Sequence, residues 1–182
     1  MEVRLSVFAE IVGTTTATIR NAIQLNKLPF LDTHSQSEST KEGTVSRRLY
    51  SVSDAFGWFL QDTLGMVLPM GQWAIAGALQ TSYRHGLRHY INDRLASAET
   101  SDFYLVLAKG LPKASGLIGG VPEWSFSTWV CSSEAVADYR KNYPVVTEIH
   151  LEPLFSLFVE TLRLRGWSID ADGFRKISDG EA

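Results

Sequence analysis

The sequence predicts an α+β fold, and three patterns in it carry the prediction. In the first third of the chain, apolar residues recur at helical spacing on either side of a glycine. Leu79, Tyr83, Leu87, Ile91 and Leu95 then recur every four residues, the buried stripe of a long helix. From Phe103 onward the pattern changes to short apolar runs of strand length, broken by glycine and proline. The 182 residues are 45% hydrophobic and 20% charged, a balance that builds a core without disulfides. That length suits one medium domain or two small ones.

Leu5, Phe8, Ala9 and Val12 predict a first helix, with Ser6 placed to cap it. Gly13 ends it, and Thr14 or Thr15 caps a second helix over residues 16–26. Ile19, Ala22 or Ile23, and Leu28 form its apolar stripe, while Thr16, Ala17, Arg20, Asn21 and Gln24 lie opposite. Pro29 stops continuation. Residues 32–46, rich in Ser, Thr, Glu and Gln, predict an exposed loop. Residues 48–52 predict a short strand, and Ser53 a cap for a third helix through Leu60.

Residues 65–71, with Pro69, are the expected boundary between units of residues 1–62 and 70–182. Met66, Val67 and Leu68 predict a packed connector there. The second unit is expected to hold the long helix over 72–98 and strands near 103–107, 124–131 and 145–151. A helix capped by Ser132 or Ser133 is expected over 134–141. Another, entered at Pro153, has Leu154, Phe155, Phe158, Leu162 and Leu164 on its apolar side. Residues 110–122 read as a Gly/Pro-rich loop, and residues 178–182 as a disordered tail.

Charge and composition narrow the function classes. Net charge is -3 and the pI is near 5.8, which argues against coating nucleic acid by bulk charge. In residues 1–60, Arg4, Arg20, Lys27, Lys41, Arg47 and Arg48 are matched by Glu2, Glu10, Asp32, Glu38, Glu42 and Asp54. The bases gather on the second helix and before Tyr50, so specific contact is compatible with modest non-specific affinity. The lone Cys131 fits a reducing compartment. No apolar run nears the ~18–20 residues of a membrane span, and no secretory signal is visible. Cytoplasmic residence is the expectation.

Phe8-Ala9-Glu10-Ile11-Val12-Gly13-Thr14-Thr15-Thr16-Ala17-Thr18-Ile19-Arg20, followed by Arg48-Leu49-Tyr50-Ser51-Val52-Ser53-Asp54-Ala55, resembles the MerR-type winged helix-turn-helix. It looks closest to the reduced versions in phage excisionases, phage terminase small subunits and related regulators. The resemblance implies roles for matching positions. Thr15 would cap the recognition helix and offer its hydroxyl or N–H to phosphate. Thr16, Arg20, Asn21 and Gln24 would face the major groove, where Arg suits guanine and Asn or Gln suits adenine. Arg47 and Arg48 on the wing, with Lys41 nearby, would grip phosphate. Tyr50 would pack beneath the wing or touch the DNA backbone. The chain departs from the pattern at Asn21-Ala22-Ile23, in the length of residues 32–47, and in lacking a long C-terminal dimerising helix with effector cysteines. Metal or redox sensing is therefore not implied.

Other constellations point elsewhere. Arg84, His85, Arg88, His89 and Arg94 line the long helix as a solvated face, a second phosphate face or a dimer rim. His85, His89 and Asp93 share one side of it but lack the further ligands of a metal site. Cys131 reads as a small hydrophobe, and no third residue orients His150 toward thiol chemistry. Residues 116–120 lack the Gly-Lys-Ser/Thr ending of a phosphate loop. Trp124, Phe126 and Trp129 read as core.

The expectation is an α+β protein with an N-terminal winged helix-turn-helix and a mixed α/β domain with a long helix and a small sheet. It would be a non-enzymatic, sequence-specific regulator of bacterial or phage origin. It would bind double-stranded DNA as a homodimer, without metal or cofactor. Residues 70–182 would supply dimerisation or a protein or small-molecule effector site. The alternatives are an architectural or packaging protein of excisionase or terminase type, or an interaction or sensor protein that no longer touches DNA.

Overall fold

Leu5–Val12 forms α1, with Phe8, Ala9, Ile11 and Val12 buried. Its N-cap is Arg4, which makes no side-chain cap bond; Ser6, the expected cap, lies inside the first turn. Gly13 ends α1 with φ 68°, and Thr14 N–H returns to Ala9 O over 2.9 Å. That closure needs a left-handed residue, which glycine adopts without steric cost. Thr16–Gln24 forms α2, two residues shorter than expected, and Ile19 is its buried residue. The computed structural model describes residues 2–30, 35–40, 43–68, 70–97, 102–109, 117–118, 121–122 and 126–178.

Ser35–Thr40 (β1) and Gly43–Arg48 (β2) pair antiparallel, with Thr40 opposite Gly43. The stretch expected to be a loop therefore carries a hairpin. Val45 is the one apolar side chain in its two strands, so no alternation of hydrophobicity marked them. β2 ends at Arg48, where the expected strand was to begin. Tyr50 instead makes one bridge, exchanging backbone bonds of 2.8 and 2.9 Å with Val3.

Val52–Val67 forms α3, capped by Ser51 and not by Ser53, which is buried in the first turn. Asp54 N–H donates to Ser51 Oγ at 3.3 Å, and Ser51 N–H donates to Asp54 Oδ2 at 2.8 Å. This reciprocal box satisfies two N–H groups that a helix start leaves open. Residue 62 falls inside α3, which runs on to Val67. Met66 and Val67 are 80% and 69% exposed, so the connector is not packed there. Leu68 and Met70 do lie against the core.

Gln72–Ser82 (α4), a π-helical turn Tyr83–Leu87 and Arg88–Ala96 (α5) run end to end. Leu79, Tyr83, Leu87 and Ile91 are buried and Leu95 packs against them, as their spacing predicts. A repeat of four overshoots the 3.6-residue turn by roughly 40° per step. The wider π turn offsets part of that drift. Gly86 within it has φ 131°, and a Cβ there would stand 3.2 Å from Val130 Cβ.

Phe103–Lys109 (β3) is the middle strand of an antiparallel sheet. The short pair Leu117–Ile118 (β4) and Val121–Pro122 (β5) lies in the expected loop. Phe126–Ser132 (β6) and Val145–His150 (β7) flank β3. Leu105 and Leu107 enter the main core, while Val106 and Ala108 face Val136 of α6 (Ser133–Asn142). Ser132 precedes α6 without a side-chain cap bond. Leu151–Leu164 forms α7, with Leu151, Phe155, Phe158 and Leu162 buried. Leu164, expected on the apolar side, is 84% exposed. Trp167–Asp170 (β8) and Gly173–Lys176 (β9) make a hairpin that buries Trp167 and Phe174. Residues 179–182, most of the expected tail, lie outside the described residues.

The chain is thus α+β with small antiparallel sheets. One apolar cluster takes in Val3, Phe8 and Tyr50, then Phe56 of α3, then Leu79, Leu105, Phe158 and Phe174. It spans both sides of residues 65–71. Among the described residues, no helix is long and apolar enough to cross a membrane.

Candidate nucleic-acid interface

The site begins with a cap. Thr15 has extended backbone, and its Oγ1 accepts Thr18 N–H at 3.1 Å and lies 2.9 Å from Thr18 Oγ1. The cap fixes where α2 starts, and that start fixes which residues face out. Ile19 points into the core, so Ala17, Arg20, Asn21 and Gln24 share the opposite face, and all four are exposed. Thr16 is half-buried beside them. No acidic residue occupies the first turn of α2. Its partial positive charge is therefore uncancelled from within the helix.

The hairpin residues fare differently. Lys41 lies outside the described residues. Arg47 is described in its backbone alone, in β2 opposite Gln36. Arg48 is half-buried, its guanidinium carbon 5.5 Å from the Phe30 ring centre and 5.4 Å from that of Tyr50. It lies over rings, a contact of about 0.5–2 kcal/mol. Tyr50 is 1% exposed and stacks on Phe8 with centroids 4.3 Å apart. It is a core residue, with the rings of Phe8 and Phe30 and the Arg48 guanidinium around it.

Several residues hold this unit to the rest of the molecule. Tyr83 OH donates to Asp54 Oδ1 at 2.9 Å, tying the start of α3 to the π turn. Burial, and then the Asp54 carboxylate, push the Tyr83 hydroxyl far above its ordinary range. Gln80 Nε2 donates to Leu28 O at 2.6 Å. Arg165, just past α7, donates from NH1 to Ile11 O at 2.9 Å and lies over Gly13. Lys176 pairs with Glu10 at 3.1 Å. The Ser51-x-x-Asp54 spacing marks Asp54 as a box residue in the sequence. Nothing local marks Arg165, which acts 154 residues away from its acceptor.

The long helix divides the bases read along it. Arg84, Arg88 and His89 are exposed, and His85 is described in its backbone alone. Arg94 belongs to the interior: its Nε and NH2 meet Glu152 at 2.8 and 2.7 Å, and Tyr90 OH joins at 3.2 Å. Among the described residues, no group of three His, Cys, Asp or Glu is placed to hold a metal.

In the sheet, Tyr104 pairs with Cys131 on one side and His150 on the other. Two strand spacings, roughly 10 Å, therefore separate thiol and imidazole. An orienting residue for His150 does exist: Asp102 Oδ1 stands 3.2 Å from its Nε2. Burial, and then Glu148, push the Cys131 thiol up, away from the thiolate form.

No family model matches this chain, and no curated protein matches it.

Proposed function

We propose that this protein is a sequence-specific DNA-binding regulator whose residues 4–60 act as a reduced winged helix-turn-helix, with α2 as the reading helix. The observation that carries the reading is the exposed face of α2. After a glycine turn and a Thr cap, it presents one guanidinium and two carboxamides, Arg20, Asn21 and Gln24, together. Those are the side chains that make bidentate contacts to guanine and adenine edges. The hairpin β1–β2 stands in the place of a wing, with Arg47 the residue offered to phosphate. A single reader of this size covers a short site, so the active form is a homodimer in the cytoplasm.

Selection of bound duplexes from a random-sequence pool tests this. An enriched motif, lost with Arg20→Ala, is expected; a pool that stays random through selection contradicts it. A second reading, a protein-interaction module, is favoured by Arg48, whose guanidinium covers Phe30 and Tyr50. Under that reading, capture of a partner protein survives Arg20→Ala.

A further inference from the structure

Directly behind the α1–α2 turn lies a slot of about 180 Å³ between α3 and α7. Its apolar walls are Val12, Ala55, Phe59, Phe158 and Leu162. A cavity of about 150 Å³ takes a benzene ring, so this one suits a single ring or a branched aliphatic group. Two unlike charges also line it, Asp62 and Arg165. They act on one another through space, yet no ion pair joins them among the described residues. Asp62 is an exposed residue, and the neighbouring Trp58 side chain partly offsets the cost of its burial. Where it turns into the slot, loss of water raises its carboxyl above the ordinary range, and a cation beside it would offset that cost. Arg165 uses one of its five N–H donors on Ile11 O, and its planar fork matches a carboxylate.

We infer that this slot binds a small zwitterion with an apolar body, of the free α-amino acid class. The ammonium meets Asp62, the carboxylate meets Arg165, and the side chain fills the apolar walls. A cation alone faces the Arg165 charge and an anion alone faces Asp62, so the pair selects a ligand carrying both. Arg165 also lies over Gly13 and holds Ile11 O. A carboxylate that draws the guanidinium shifts the turn from which α2 starts. The consequence for DNA rests on the reading above; the binding does not.

Calorimetric titration of the intact chain with L-phenylalanine and L-leucine tests the site, with phenethylamine and 3-phenylpropionate as analogues lacking one charge. At least one amino acid is expected to bind saturably, with both analogues weaker by about tenfold or more. Asp62→Asn is expected to lower that affinity by a similar factor. Thr63→Phe, from the slot lining, is expected to abolish binding while leaving the circular dichroism spectrum unchanged. The amide resonances of Ile11 and Gly13 are expected to move on binding. No saturable heat from either amino acid up to about 10 mM overturns the proposal. Equal binding of the analogues overturns it, as does affinity that both variants leave unchanged. Saturable binding by a chain that selects no duplex leaves the slot standing and removes the DNA reading. A selected duplex with a silent slot does the reverse.

Discussion

Gly13 concentrates two demands on one position. Its φ of 68° disfavours any side chain, and a Cβ there would sit 2.5 Å from Arg165 Cζ. Gly13→Ala is expected to cost about 1–3 kcal/mol in urea unfolding, since it combines left-handed strain with displacement of Arg165. An unchanged midpoint would contradict that. The first demand was legible, because a glycine between two helical patterns marks a left-handed end. The second was not, because Arg165 comes from the far end of the chain. Asp62 gives a pH prediction. Its folded carboxyl titrates above 3.8, so the native state holds the proton more tightly than the unfolded chain does. That contribution is full below 3.8 and is lost as pH rises through the folded value. Asp62→Asn, without ligand, should therefore be at least as stable as the natural chain at neutral pH. Its melting temperature should change less with pH just above 3.8. A clear loss of stability at neutral pH would show that the carboxylate is favourably paired. Arg48 shows what residue-level reading leaves out. Its charge and place before Tyr50 suggest a phosphate contact, and nothing local announces that its guanidinium lies over the rings of Phe30 and Tyr50.

The elements that periodicity revealed are those with one wet and one dry side. α1, α2, the four-residue stripe and α7 bury a stripe or face, and their spacing shows it, whereas β3, covered on both faces, shows as a continuous apolar run. β1 and β2 have no apolar alternation to read, and the β8–β9 hairpin is too short for a period to emerge. The end of α3 was misplaced for a related reason. Gly65, Met66 and Val67 look like a break, but the backbone stays helical with two of those side chains in solvent. The start of α3 is the joint on which the elements depend. Asp54 is 2% exposed and accepts from both Ser51 N–H and Tyr83 OH. Asp54→Ala removes a helix cap and leaves a buried hydroxyl short of its acceptor, for an expected cost of about 2–4 kcal/mol. Tyr83→Phe keeps the cap and should cost about 1–2 kcal/mol. Denaturant melts of the two variants check the order, and a larger loss for Tyr83→Phe would place the weight on the π turn instead.

In the whole molecule, the core does not divide where the composition does. Phe56 of α3 touches Phe59, Tyr90, Phe155 and Phe158, so residues on both sides of 65–71 share one packed centre. The bonds from Gln80 to Leu28 and from Arg165 to Ile11 cross the same line. Heat unfolding is accordingly expected as one transition, with calorimetric and van't Hoff enthalpies equal. Two resolved transitions would contradict it. The overall class was legible because long periodic segments announce themselves; the joining of the halves was not, because it rests on contacts between distant residues. The candidate site was legible in part. The exposed face of α2 follows from Thr15 and Ile19, whereas the hairpin's contribution depends on residues whose surroundings no local pattern encodes. The central claim, that α2 reads bases, is tested most directly by pairing each variant with base changes in a selected duplex. Arg20→Ala should cost about 1–3 kcal/mol on the selected sequence and relax preference at one base pair only, with Asn21→Ala doing so at a neighbouring position. Equal weakening on every duplex, or none at all, would contradict base reading by α2.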